Sequence, residues 1–227
     1  MNIQLDEGYL FGLGVFETIA LTDGKPEYLD LHLERINNSL EYFNIPMRVD
    51  EGEVMDFLKN GPTSKALKIV VSEKNKVFLF RDHPYTPERL KKGFNLEYSK
   101  VVRNETSPFV YHKTLNYGDN ILEKRRLFGS DVDEVIFLNT KGQICEGSTT
   151  NIFFVADSKI YTPKKESGLL PGVMRRVVME KYDVEERDIY PEDVASMDEC
   201  YVTNSLMGIM AVNKLGEKLF LSGKTIK

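Results

Sequence analysis

HKTLNYGDNILEKRR (112–126), DEVIFLNTKGQICEGSTTNIFFV (133–155) and YTPKKESGLLPGVMRR (161–176) make up the stretch whose reading decides the fold. Lys113 follows the apolar and aromatic lead-in Val110-Tyr111-His112 and stands just before a helical pattern expected over about 115–128. Partial burial and a positive helix terminus would both lower its pKa toward a usable amine, the environment that an imine-forming lysine needs. The bland alternative is a solvated surface charge. Glu146 lies between Ile144-Cys145 and the turn Gly147-Ser148-Thr149-Thr150, inside an apolar β-hairpin. Its carboxylate either faces solvent or is held inward among hydroxyls to bind a buried cation, and the residues alone leave both open. Gly168 to Arg176 reads as a loop entering a helix, where unpaired N–H groups and the helix dipole favour an anion. That signal is weak by itself, because many helices begin with Pro and Gly. It is neither a Walker loop nor a GxGxxG turn.

Working outward toward the N-terminus, GLGVFETIAL (12–21) reads as a strand closed by an Asp23-Gly24 hairpin turn. Asp30 is the expected cap of a helix with Leu33, Ile36, Leu40 and Phe43 at helical spacing, with Arg35 beside that stripe and Pro46 after it. A second amphipathic helix is expected over 50–60, ended by Gly61-Pro62, followed by a hairpin of ALKIVVS (66–72) and KVFLFR (76–81). HPYTPERLKKG reads as a loop, FNLEYSKVVR (94–103) as a strand, and the polar NETSP (104–108) as a domain boundary. Toward the C-terminus, strands are expected at 133–139, 143–147, 151–156 and 159–162. A helix at 172–181, a short helix near 191–193 and strands near 199–203 and 209–213 complete the pattern.

The chain of 227 residues is 41% hydrophobic, enough for a real core in one large or two modest domains. A net charge of -5 argues against general nucleic-acid binding, which needs clustered Lys and Arg. There is no leader pattern at the N-terminus and no apolar run of roughly 20 residues, so the expectation is a cytoplasmic protein that does not span a membrane. Cys145 and Cys200 lack CxxC spacing and read as buried thiols. The three histidines at 32, 83 and 112 are too scattered for a metal cluster, so no metal is expected, and no GxSxG elbow points to a serine hydrolase.

An amine, a carboxylate for a buried cation and an anion turn suit a pyridoxal phosphate (PLP) site: aldehyde, pyridine nitrogen and phosphate in turn. Beyond this reading, the chain resembles the class IV aminotransferases, the fold type IV PLP enzymes. GLGVFETI (12–19) is similar to the family's GxGxFET stretch, HLERI (32–36) to its phosphate-arginine helix and KTLNY (113–117) to its lysine motif. EGSTTNIFFV (146–155) and LLPGVMRR (169–176) resemble its glutamate signature and phosphate turn.

The resemblance implies an α+β fold, with a small α+β domain (1–106), a larger pseudo-barrel PLP-binding domain (107–227), PLP in the cleft and a homodimer. It implies that Lys113 attaches the cofactor and moves the proton, and that Glu146 holds the pyridine nitrogen. Arg35, the amides of Val173 and Met174, and Ser205 would bind phosphate, and Leu170 would pack on the ring. The chain departs from the family pattern at Leu13, where an Asp is common.

TNSLMGIMAV (203–212) looks like the ending of 4-amino-4-deoxychorismate lyases in that family. Arg81-Asp82-His83 resembles the Arg-x-His carboxylate trap of D-amino acid aminotransferases, although His83 precedes Pro84 and suits a turn-shaping role as well. The expected activity is therefore a PLP-dependent lyase forming 4-aminobenzoate and pyruvate for folate synthesis. The alternative is an aminotransferase acting on a D-amino acid or a branched-chain amino acid. A non-catalytic PLP-binding module is disfavoured, because the lysine, glutamate and arginine positions are all filled.

Overall fold

The computed structural model describes residues 2–59, 61–63, 65–221 and 223–227. Asn60, the expected last residue of the second helix, lies outside the described residues. The chain divides into two compact units, Met1–Tyr85 with His112–Tyr117, and Thr86–Tyr111 with Gly118–Lys227.

The first unit runs α1 (Glu7–Phe11), β1 (Gly14–Thr22), β2 (Lys25–Pro26), α2 (Leu29–Tyr42), α3 (Glu51–Leu58), β3 (Ala66–Ser72) and β4 (Lys76–Arg81). Its antiparallel sheet has the order β2-β1-β3-β4. Asp23 and Gly24 take φ of 51° and 76°, as the expected tight turn requires. Register places Val15 opposite Val71 and Ile19 opposite Leu67. These residues pack with Ile36 and Leu40 of α2 and Val54 and Leu58 of α3. Each such side chain contributes roughly 2 kcal/mol when fully buried.

Strand alternation sends Phe16, Thr18, Lys68 and Arg81 to the face of the sheet away from that core, with Thr18 opposite Lys68 and Ala66 opposite Arg81. The cap of α2 differs from expectation. Tyr28, at φ 51°, occupies the cap position without a side-chain bond, and Asp30 falls inside the first turn. There its charge complements the helix dipole. The cap of α3 is a full capping box between Asp50 and Glu53.

The second unit contains α4 (Pro87–Lys92), β5 (Phe94–Arg103), a 3-10 turn (Pro108–Tyr111), α5 (Gly118–Arg126), β6 (Glu134–Asn139), β7 (Ile144–Gly147), β8 (Asn151–Ala156) and β9 (Lys159–Pro163). After these come α6 (Val173–Lys181), β10 (Val184–Arg187), a 3-10 turn (Asp193–Ser196), β11 (Glu199–Asn204), β12 (Gly208–Leu215) and β13 (Lys218–Leu219). They form a nine-stranded mixed sheet of order β10-β9-β8-β11-β12-β5-β6-β7, with β13 on β12. Phe153, Val155 and Tyr201 pack with Val178 of α6. The α+β expectation holds, and both cysteines are buried. Burial pushes both thiols up, and at Cys145 the charge of Glu146 adds to the effect.

Several local expectations change in the tertiary structure. The segment expected as a loop before Gly93 contains α4, because Thr86 caps it by accepting the Arg89 amide. β10 (VEER) has no apolar alternation and forms because it pairs in parallel with β9. The helix expected from about 115 begins at Gly118, because Leu115 donates its amide to Gly14 O and Thr114 bridges Val15. The division also falls elsewhere than near 104–108. The chain leaves the first unit after Tyr85, since β5 is bonded on both sides within the larger sheet, and it returns at 112–117.

Candidate functional site

Pairing with β1 sets the position of Lys113. Phe16 donates its amide to Lys113 O at 2.8 Å, so the two residues lie side by side. The Lys113 ammonium stands 4.5 Å from the centroid of the Phe16 ring and 5.0 Å from that of Tyr117. Two aromatic rings and an extended segment paired with β1 therefore lie beside it. His112, next to it, is stacked on Tyr42 at 4.4 Å and has Nδ1 2.9 Å from Ser39 Oγ, which ties the lysine segment to the end of α2.

Lys68 places a second ammonium 4.6 Å from the same Phe16 ring. Burial, and then the charge of Arg81, pushes this amine below its ordinary value. No acidic side chain among the described residues forms an ion pair with Lys68. Arg81 ends β4 and is exposed. His83 has its Nδ1 3.0 Å from Tyr85 O, so its ring is engaged with its own turn, and Asp82 pairs with Lys65.

On the other side of β1, Glu17 is 1% exposed and accepts Arg35 Nε at 2.6 Å and Nη2 at 2.7 Å, with His32 Nδ1 at 2.7 Å. Burial alone would raise this carboxyl. The charges of Arg35 and His32 outweigh it and hold the group well below the usual carboxylate range.

In the second unit Glu146 is buried on β7. Its Oε1 lies 3.2 Å from Arg103 Nη2, and its Oε2 accepts the Leu170 amide at 3.0 Å. Glu146 therefore faces inward, against the Arg103 guanidinium and the Leu170 amide. The Arg103 guanidinium carbon lies over the Phe137 ring, 4.1 Å from its centroid. Asn151 Nδ2 donates to Leu170 O at 2.8 Å, so both backbone polar groups of Leu170 are held. Two residues on, a β-carbon at Gly172 would lie 2.1 Å from Asn151 Oδ1, and only glycine fits. Gly172 caps α6, whose first two residues, Val173 and Met174, are buried.

Ser205 is half-buried in the turn after β11, where Asn204 Oδ1 accepts the amides of Leu206 and Met207. Thr203 pairs with Asn151 in the sheet, and its hydroxyl is buried without a partner among the described residues.

The structure thus brings together Lys113 with Phe16, Arg35 with Glu17, and Glu146 with Leu170 and the entry to α6. Arg103, Lys68, Glu17 and Asn151 were missed as site residues. Lys68 had a signal, a charge within an otherwise apolar strand. Arg103 had none, being 43 residues from Glu146.

A family model described as amino-transferase class IV matches residues 14–215. An aminodeoxychorismate lyase of Bacillus subtilis is 30% identical over 236 residues, covering 93% of this chain and 80% of that protein. A probable branched-chain-amino-acid aminotransferase of Thermotoga maritima is 29% identical, covering 97% and 83%. The fold matches a crystal structure of a putative 4-amino-4-deoxychorismate lyase from Legionella pneumophila with a TM-score of 0.88, 23% identity and coverage of 99% and 91%.

Proposed function

This chain belongs to the class IV aminotransferase family, and we propose that within it the protein is a PLP-dependent lyase that converts 4-amino-4-deoxychorismate to 4-aminobenzoate and pyruvate. Each unit, taken by itself, offers residues that suit one part of the cofactor. Lys113 offers an amine against two aromatic rings. Glu146 offers a buried carboxylate, and Thr203 an orphaned hydroxyl beside the strand that holds the entry to α6.

When bound, PLP supplies an electron sink for the pair released from the substrate's Cα–H bond. Lys113 attaches the cofactor and moves the proton at that carbon. Glu146, kept oriented by Arg103 and the Leu170 amide, holds the protonated pyridine nitrogen. Arg35, aimed by its two bonds to Glu17, is the first unit's candidate for the phosphate; the second unit's are Ser205 and the amides of Val173 and Met174, and Leu170 would pack on the ring.

The observation that carries the lyase reading is Lys68. A half-buried ammonium with no acidic partner among the described residues, on the same sheet face as Arg81 and beside the ring that supports Lys113, suits an anionic substrate. Two carboxylates of 4-amino-4-deoxychorismate would satisfy that face, whereas a branched-chain amino acid brings one carboxylate and an aliphatic chain. Arg81 is the second candidate for a substrate carboxylate. His83, turned toward Tyr85, shapes the loop between them and α4.

The second reading, an aminotransferase for a branched-chain or D-amino acid, is favoured by the near-equal identity to the Thermotoga protein. In either case the working form would be a homodimer. No helix among the described residues is long and apolar enough to cross a membrane, and the cytoplasm is the proposed compartment.

The test is 4-aminobenzoate formation from freshly generated 4-amino-4-deoxychorismate by PLP-loaded protein, with Lys113→Ala as control. Product from the wild type alone supports the lyase. No product from a protein showing the absorption of lysine-bound cofactor turns the assignment to the aminotransferase. Lys113→Ala is expected to lose that absorption and all turnover, and retained turnover overturns its role.

A further inference from the structure

Glu134 is fully buried at the start of β6, and no cation among the described residues pairs with it. A buried carboxylate in that situation is tolerated only when hydrogen bonds saturate it. Here one short turn supplies most of them, and the Val135 amide adds a bond to Oε1 at 3.0 Å. Oε1 accepts the Ser148 amide at 3.2 Å and the Ser148 hydroxyl, and Oε2 accepts the Thr149 amide at 3.1 Å, the Thr149 hydroxyl at 2.8 Å and the Thr150 hydroxyl at 3.4 Å. The turn is closed by the Gly147 amide on Thr150 O at 2.7 Å. A β-carbon at Gly147 would sit 2.1 Å from Thr150 Oγ1. Asn120 of α5 holds the outward carbonyl of Ser148 at 2.7 Å.

The residues flanking this turn are Glu146 and Asn151, and both grip the backbone of the same residue. Glu146 accepts the Leu170 amide, and Asn151 donates to the Leu170 carbonyl. The shape of the 147–150 turn therefore sets the spacing between two side chains that together hold the loop leading into α6. We propose that Glu134 is a positioning residue for the cofactor, acting through this turn to keep Glu146 and the Leu170–Gly172 loop in register. The proposal rests on the PLP reading above.

Glu134→Gln preserves shape but turns one acceptor into a donor facing amides and hydroxyls that can only donate or must reorient. The experiment titrates PLP into cofactor-stripped protein, reading the dissociation constant by equilibrium dialysis and the absorption of the bound form across pH. The comparison variant is Glu199→Gln, which alters another largely buried carboxylate, one that accepts the Tyr201 hydroxyl and the Thr225 amide. Glu134→Gln is expected to weaken PLP binding about tenfold and to shift the pH dependence of the absorption band. Glu199→Gln should lower Tm while leaving both readings within about twofold of wild type.

Wild-type affinity and spectrum in Glu134→Gln would overturn the proposal, as would equal weakening in both variants in step with their loss of Tm. If Glu134→Gln does not fold, Thr149→Val removes one of the donors isosterically. A smaller weakening in the same direction supports the role, and unchanged affinity overturns it. Absence of any lysine-bound band in the wild type would instead overturn the PLP reading itself, and the proposal with it.

Discussion

Glu17 couples the stability of the first unit to the residue proposed to hold the phosphate. Its carboxylate is buried between β1 and α2 and is satisfied, among the described residues, by Arg35 and His32. Removing one partner of such a pair leaves a charge buried and uncompensated, which costs about 3 kcal/mol or more. Glu17→Gln is expected to destabilise the protein by about that amount in urea unfolding, and also to weaken PLP binding through a loosened Arg35. A loss below about 1 kcal/mol would mean that α2 holds Arg35 without help. The GxGxFET resemblance marked the stretch, but nothing local told which face of β1 Glu17 would take. The alternation of Val15, Glu17 and Ile19 on the core side settled that once β3 was paired.

At the scale of elements, the caps and entries carry separable consequences. The Asp50 side chain accepts the Glu53 amide at 2.9 Å in the capping box of α3. Asp50→Ala is expected to cost about 1 kcal/mol of stability and to leave PLP affinity unchanged, since the side-chain hydrogen bond of this exposed residue belongs to the α3 capping box with Glu53. Denaturant midpoints with parallel cofactor titrations check both halves. Gly172→Ala is expected to act the opposite way. Its β-carbon would collide with Asn151 Oδ1 and dislodge the Leu170 loop, so PLP affinity should fall by about tenfold or more. Wild-type affinity in that variant would show that α6 can enter from a different loop path.

Much at this scale was legible in the chain. β3, β4 and β5 have the expected bounds, because apolar and β-branched runs bounded by Gly, Pro and polar turns are local signals. α4 and β10 were not, the first hidden in a Pro-containing polar segment and the second dependent on a neighbouring strand.

For the whole molecule, pH is the most direct probe. Glu17 and Asp6 both have carboxyls held well below the ordinary range. Burial pushes Asp6 up, but the Ser72 hydroxyl, the Lys74 and Tyr9 amides and the Asn75 side chain outweigh it. A carboxyl lowered in the folded state binds fewer protons there than in the unfolded chain. Its contribution is therefore complete above the unfolded value near 4 and is lost as pH falls below it. Urea unfolding should show stability from these groups level above about pH 5.5 and declining below about pH 5. The double variant Asp6→Asn/Glu17→Gln, less stable at neutral pH, should decline less steeply. An equal slope in both proteins would place the acid sensitivity elsewhere.

By itself the sequence determined the α+β class, the order of nearly all elements, the family likeness and the positions of Lys113, Glu146 and the turn into α6. All of these rest on residue types at short spacing, where periodicity, turn chemistry and motif order act locally. Only the tertiary structure decided where the chain divides, that Lys113 lies on an extended segment beside Phe16, and which charges meet. Arg35 reaches Glu17 across 18 residues and Arg103 reaches Glu146 across 43. Those pairings depend on strand register and sheet face, which arise from burying one side of each sheet and leave no mark in the spacing of the residues along the chain.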